Sequence, residues 1–446
     1  MKFQCYTLGC KVNQYETQAL ERQLLALGHE QADRDCDLLI VNTCTVTAVA
    51  DRKNRTLIRR LRRENPNAVL GVCGCYAQLK SDEVRALDVD VIGGSGGREA
   101  FLQNLLHAAR ERAPIVAVDE ALRRREFEEL PAGGLAARTR AMLKVQDGCC
   151  NFCTYCIIPY ARGPVRSLPL ARAVTLAEGL AADGYREIVL TGIEIASWGW
   201  DFKDGSRLVD LVEAVCRAVP QVRVRLGSLE PRTVDGEFCR RLSACENLCP
   251  QFHLSMQSGS DGVLRRMHRK YDSARYFQSV ELLNAAFPGC AVTTDMIVGF
   301  PGETEAEFAE SLAFAERCGF AAMHVFPYSR RPGTPAASMP GQLTRAEKEE
   351  RAAKAGELAR TLRERYDTAL LGKPQEVLFE QLEDGFFTGH ARNGVKVYLR
   401  GEALHNQIRV VTPTALRADG VEAKQAYLRF EEGKVLRMRN TGEAAQ

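Results

Sequence analysis

The chain has 446 residues, about three times the ~150 usual for one domain, so two or three domains are expected. Hydrophobic residues make up 45% and charged residues 26%, which excludes collagen-like, disordered and coiled-coil chains, and no run approaches the ~20 apolar residues of a membrane span. Sixty Lys and Arg against 57 Asp and Glu leave a net charge of +3, so nucleic-acid binding has to rest on local patches.

The start, MKFQCYTLGCKVNQYE, reads as a strand running into a Gly-Cys turn. It lacks the apolar core and cleavage site of a secretory signal, so a reducing, cytoplasmic location is expected. There the 16 cysteines are ligands and core fillers rather than disulfide partners. Residues 1–122 alternate strand-like runs (37–41, 68–72 and 90–92) with helix-like segments (16–27 and 48–63), the pattern of a parallel α/β domain. Residues 123–137, opening RRREFEE and ending in Pro and Gly, read as a linker.

Alternation resumes over 138–340, with strands expected near 188–190, 222–226, 252–254, 294–298 and 323–326. This predicts a full or partial β/α barrel with its chemistry at the C-terminal strand ends. Residues 341–371 form a connecting segment, helical from 344 and free of proline. Residues 372–435 read as short strands (376–380, 386–392, 395–400, 407–411 and a weaker run at 427–430), with a hairpin signal at Asn393-Gly394, and 436–446 as a tail. Five strands in so short a span suggest a small all-β barrel of the OB type.

The sharpest chemical feature is DGCCNFCTYC, in which Cys149, Cys153 and Cys156 form C-x3-C-x2-C. Three thiolates on one loop can hold three corners of a cubane iron–sulfur cluster. Electron-transfer clusters are closed by four thiolates, so three leave one iron open to a ligand. A structural zinc site would need a fourth ligand, and Cys150 adjoins Cys149 too closely to supply it. Cys10, Cys44 and Cys75 each follow a predicted strand and precede a predicted helix, and such turns gather at one edge of a parallel sheet. By spacing alone they are equally a shared metal site or core thiols. Cys73 reads as a core thiol; Cys5, Cys36, Cys150, Cys216, Cys239, Cys245, Cys249, Cys290 and Cys318 read as structural.

The run GCCNFCTYCIIPYARGPVRS resembles the cluster loop of radical S-adenosylmethionine (radical SAM) enzymes, and GCKVN, NTCTV and GCYAQ resemble the three cysteine segments of their methylthiotransferase branch. The resemblance covers nearly the whole chain and implies two [4Fe-4S] clusters, one on Cys149, Cys153 and Cys156, the other on Cys10, Cys44 and Cys75, with S-adenosyl-L-methionine as cofactor. It implies that a 5′-deoxyadenosyl radical abstracts hydrogen from C2 of a modified tRNA adenosine and that a methylated sulfur is inserted there. A flavodoxin- or ferredoxin-type electron donor and a sulfur donor are the further partners implied. Three substrates occur among relatives: isopentenyl-adenosine in tRNA, threonylcarbamoyl-adenosine in tRNA and an aspartate of a ribosomal protein. Lys11-Val12-Asn13 after Cys10 is similar to the threonylcarbamoyl branch. The C-terminal barrel resembles a TRAM domain, an RNA-binding module.

Gly192, Glu194, Ser228, Glu230, Gln257 and Gly299 stand at predicted strand ends, and Tyr155 precedes the last cluster cysteine; the resemblance assigns this region to S-adenosylmethionine. For RNA, the basic run with Arg55, Arg59 and Arg62 lies on one broad helical face. It is either a solvated face or a phosphate-contact surface. In the small barrel His390, Arg392 and Lys396, with nearby aromatics, could supply cations and stacking surfaces.

Overall fold

The computed structural model describes residues 1–133 and 139–425, together with the strand backbone of Phe430–Glu431 and Lys434–Val435. It divides into two compact units, 1–363 and 364–446.

In the first unit, six parallel strands form one sheet in the order Glu30–Gln31, Lys2–Thr7, Leu38–Thr43, Val69–Gly74, Val91–Gly93, Ile115–Ala117. Every residue of Leu38–Thr43 and Val69–Gly74 is buried, because helices cover both faces of a parallel sheet. The first helix spans Lys11–Ala26, five residues earlier than its apolar spacing predicts, since buried Asn13 fastens its first turn to the carbonyls of Leu8 and Thr43. Helix Ala48–Glu64 is capped by Thr47, whose side chain accepts from the Ala50 amide.

The barrel is an open arc of two parallel sheets. Arg140–Lys144, Glu187–Thr191 and Arg223–Leu226 form one, and Ser228–Leu229, Gln251–Leu254, Ala291–Val298 and Ala322–Pro327 the other. The sheets meet at Gly227, whose amide reaches the Leu190 carbonyl. Alternation sends Ile188, Leu190, Val224 and Phe252 into the outer core, while Arg225 pairs with Glu187 on the other strand face. The segment expected as a linker is tied down over its described part: Leu130 is buried in the barrel core, and Tyr15 donates to its carbonyl. Residues 134–138 of that segment lie outside the described residues.

Helix Arg345–Thr368 carries the boundary between the units. The second unit is a closed five-stranded barrel, in the order Gln375–Glu383, Phe386–Ala391, Lys396–Leu399, Gly420–Gln425, Ile408–Arg417. Its core includes Val377, Phe379, Val397 and Val421. Asn393-Gly394 does turn a hairpin, with Gly394 at φ +83°. The fifth strand is Gly420–Gln425 rather than the run at 427–430, of which residues 427–429, like the tail 436–446, lie outside the described residues. The signal at 420–425 is weak because its side chains alternate small and charged.

Candidate active site: two cysteine triads

The barrel triad is built on the loop after Gln146–Asp147. Gly148 sits at φ +76°, and a Cβ there would collide with the Pro164 carbonyl, so only glycine lets the loop leave the sheet. The loop is pinned at three points. The Cys149 amide donates to Gly163, the Thr154 amide to Met267, and the Cys156 amide to Cys153. Cys153 is buried and Cys149 and Cys156 are half-buried, whereas Cys150 is exposed. Arg269 donates from Nη1 to Cys153 Sγ at 3.2 Å and lies over the Tyr271 ring. Burial, then Cys153, pushes the Cys156 thiol up to about 12.

The other triad comes from three adjacent strands. Cys10 caps the first helix, Cys44 follows Leu38–Thr43, and Cys75 opens the helix after Val69–Gly74. Gly9 at φ +107° abuts Cys44; a Cβ there would lie 2.5 Å from Cys44 Cβ and 2.8 Å from its Sγ. Burial, then Cys75 and, more weakly, Cys10, pushes the Cys44 thiol up to about 12, so the three thiols share one environment. Asn13 ties their turns together, donating to the carbonyls of Leu8 at 2.8 Å and Thr43 at 3.0 Å. Cys73 is fully buried in the sheet core, as its spacing implies.

The triads face each other. Cys75 is among the charges that raise Cys156. Arg162, which follows the barrel loop, donates from Nε to Cys75 Sγ at 3.1 Å and from Nη2 to Asn13 Oδ1 at 2.7 Å. Among the described residues, no three acidic, histidine or cysteine groups converge on a single ion. A cubane presents its irons at separate corners, so thiolates spread around a volume are the arrangement it takes, and the all-sulfur donor sets suit iron–sulfur ligation.

Beneath both triads lies a charged network that sequence spacing did not reveal. Glu16 is fully buried and pairs with Arg98 at 2.6 Å, with Lys144 at 3.5 Å and with Arg162. Asp147 pairs with Lys144 at 3.1 Å, Arg166 at 3.4 Å and Arg162 at 3.5 Å. Burial opposes ionisation of Glu16, yet Arg162, Arg98 and Lys144 hold its carboxyl down at about 2. The loop Tyr328–Thr334 clasps the sheet domain as well: Arg331 donates to Thr45 at 2.6 Å and to Asp51 at 2.8 Å.

The residues expected to hold S-adenosylmethionine divide. Tyr155, Glu194 and Glu230 gather electrostatically around the barrel triad with Arg269 and Tyr271. Arg269 and Tyr271 escaped sequence reasoning; their signal is a loop, HRKYD, following a one-and-a-half-turn helix. Burial, then Glu230, raises the Glu194 carboxyl to about 7. Gly192 packs 2.8 Å from Gln146, for a Cβ placed there, and Gln146 receives the Glu194 amide. Ser228 is exposed at its strand end, and Gln257, at φ +65°, bridges to Ala291–Val298. Gly299 lies in a turn held by Glu303 and roofed by Lys348.

The RNA candidates divide too. Arg62 is a correction: only 15% exposed, it binds Asp90 and the carbonyls of Ala68 and Asp88, because the helix end is fastened to the sheet there. Arg55 bonds the Tyr76 hydroxyl at 3.3 Å, and Arg59 is exposed. In the small barrel His390 pairs with Glu380 and Lys396 with Glu383 and Asp419, and the Arg392 amide bonds Glu376. Arg417 lies 4.2 Å from the Phe386 ring centroid and 4.7 Å from that of Tyr398, a cation–π group that sequence did not single out.

Comparison with known proteins agrees with this architecture. Residues 143–315 match the Radical SAM superfamily, and residues 2–94 match Uncharacterized protein family UPF0004. The chain is 41% identical to the Bacillus subtilis "Threonylcarbamoyladenosine tRNA methylthiotransferase MtaB" over 89% of this chain and 90% of that one. It is 36% identical to the protein of the same name from Thermotoga maritima, over 96% and 98%. The radical S-adenosylmethionine methyltransferase TsrM from Kitasatospora setae shares the fold at a TM-score of 0.56 and 16% identity, covering 75% of each chain. With two cysteine triads on a sheet and a barrel of this order, the chain belongs to the threonylcarbamoyladenosine tRNA methylthiotransferase family of radical SAM proteins.

Proposed function

We propose that this chain transfers a methylthio group to C2 of N6-threonylcarbamoyladenosine beside the anticodon, position 37, of tRNA. The observation that carries the reading is the pairing of two thiol triads across one interface, joined by Arg162. Cys149, Cys153 and Cys156 hold the cluster that binds S-adenosylmethionine, and Cys10, Cys44 and Cys75 hold the second. When bound, these groups supply the radical and the sulfur chemistry.

The protein's own part is placement. Glu194 is half-buried, accepts from the Ala196 amide and, among the described residues, has no basic hydrogen-bond partner, and an ammonium such as that of S-adenosylmethionine would draw it into the ionised form. Tyr155 and Tyr271 wall the same space, and Arg269 fixes the Cys153 side of the loop. The domains divide as 1–122 for the second cluster, 138–340 for the radical barrel and 372–435 for RNA, with Arg59 and the Arg417 and Tyr398 pair, packed over buried Phe386, as RNA-facing surfaces. The second barrel is a TRAM domain. A flavodoxin- or ferredoxin-type protein supplies electrons, a separate donor renews the sulfur, and the enzyme works in the cytoplasm; among the described residues no helix is long and apolar enough to cross a membrane.

The test is anaerobic reconstitution of both clusters, followed by mass analysis of tRNA nucleosides. Threonylcarbamoyl tRNA should gain a methylthio group, and the same tRNA without that group should not. Preferential turnover of isopentenyl-adenosine tRNA or of a ribosomal protein would overturn the substrate.

A further inference from the structure

Arg162 lies on the barrel chain, yet every nitrogen of its guanidinium is engaged beside the sheet's triad. Nε donates to Cys75 Sγ at 3.1 Å, Nη2 to Asn13 at 2.7 Å, and Nη1 to Glu16 and to the Ser95 carbonyl at 3.3 Å. The side chain is fully buried, so this planar fork cannot swing to another partner. Through Asn13 it also reaches the Leu8 and Thr43 carbonyls, next to the turns that carry Cys10 and Cys44.

The charge around it is unbalanced. Four buried cations, Arg98, Lys144, Arg162 and Arg166, meet two buried carboxylates, Glu16 and Asp147; Glu128 approaches only from a half-buried position at the amide end of helix Arg98–Glu111. Buried charge in surplus is costly unless an opposite charge joins it. Three thiolates around a cubane supply negative charge, and one-electron reduction of the cluster adds one more.

We propose that Arg162 is a positioning residue for the second cluster, donating its Nε–H to the Cys75 thiolate and raising that cluster's reduction potential. The inference rests on the reading of Cys10, Cys44 and Cys75 as cluster ligands. Hydrogen bonds to cluster sulfurs and net local charge are established levers on potential, because both stabilise the more negative, reduced state. Since the donor belongs to the barrel, seating the barrel against the sheet and setting the second cluster's potential are one event.

The test uses the full chain with Cys149, Cys153 and Cys156 all replaced by Ala, reconstituted with iron and sulfide, so that only the second cluster remains. Dithionite titration followed by electron paramagnetic resonance gives its midpoint. Arg162→Gln should keep its iron while the reduction equilibrium falls at least tenfold, about 59 mV for one electron. Arg162→Lys, which keeps the charge but loses the fork, should fall less. Glu16→Gln keeps the Arg162 donor and adds to the positive surplus, so its midpoint should rise. A merely structural role would not send these variants in opposite directions. An unchanged midpoint in iron-replete Arg162→Gln overturns the inference. If that variant sheds its iron, equal midpoints in Arg162→Lys, Glu16→Gln and the parent overturn it instead. A parent that binds no cluster while folded would overturn the ligand reading itself, a distinct result.

Discussion

The barrel triad and the sheet triad gather three thiols by opposite routes. In the barrel, three thiols sit within eight residues, and hydrogen bonds inside one loop and to its neighbours Gly163 and Met267 shape them. In the sheet, the thiols are dispersed along the first 75 residues and meet because three adjacent parallel strands end together. A loop of this kind carries its own geometry. A strand-end triad borrows its geometry from the sheet, from Asn13, and here from an arginine of another domain. The sheet site therefore includes one hydrogen-bond donor, Arg162, that comes from the barrel.

The strongest way to break this comparison is to delete ligands from each side. Ala at Cys149, Cys153 or Cys156 should abolish 5′-deoxyadenosine formation while the sheet cluster keeps its iron, measured by iron content and chromatography. Ala at Cys44 should do the reverse, leaving cleavage of S-adenosylmethionine and stopping methylthio product. Iron lost from both sites of a folded single variant would end the idea of two separate ligand sets.

Next in size is the shared floor. Glu16→Ala strands Arg98, Arg162 and Lys144 without their common carboxylate, and removing one partner of a buried ion pair costs about 3–5 kcal/mol. Denaturant unfolding of the full chain measures it. A loss under 1 kcal/mol would show that the two domains do not depend on this network.

Glu194 sharpens the contrast at the barrel site through pH. Its carboxyl is raised to about 7 from an ordinary 4.5, by burial and then Glu230, so the fold favours its neutral form. Its contribution to stability is present below about 4.5 and is lost as pH rises through about 7. Without S-adenosylmethionine, Glu194→Gln should stabilise the protein by up to about 3 kcal/mol at pH 8 and by almost nothing at pH 4. The same variant should weaken S-adenosylmethionine binding about tenfold, roughly 1.4 kcal/mol. The same difference in stability between variant and parent at both pH values would show that the fold does not favour the neutral Glu194 carboxyl.

The smallest expected effect concerns the basic helix. Arg59→Ala should lower the salt slope of tRNA binding by about one, whereas Arg62→Ala should reduce stability and leave the slope alone, since Arg62 is fastened to Asp90. Equal slopes for Arg59→Ala and the parent would make this face a solvated one.

Sequence alone determined what is local. C-x3-C-x2-C keeps its thiols within eight residues of one another whatever the fold. The alternation of strand and helix fixed a parallel sheet followed by a barrel, and Asn393-Gly394 fixed a hairpin, because each depends on neighbours in the chain. The resemblance of short motifs then joined Cys10, Cys44 and Cys75, which spacing left open. Only the tertiary structure decided the rest. Glu16 sits in an ordinary helical sequence, and nothing near it announces that Arg98, Lys144 and Arg162 will converge on it from positions 82 to 146 residues away. Arg62 belongs to a run of similar arginines, and its clasp on Asp90 follows from where the helix ends over the sheet. Arg162 was visible only as part of a motif; its bond to Cys75 exists because two domains dock, and the field of a buried charge depends on every group packed around it, near or far in the chain.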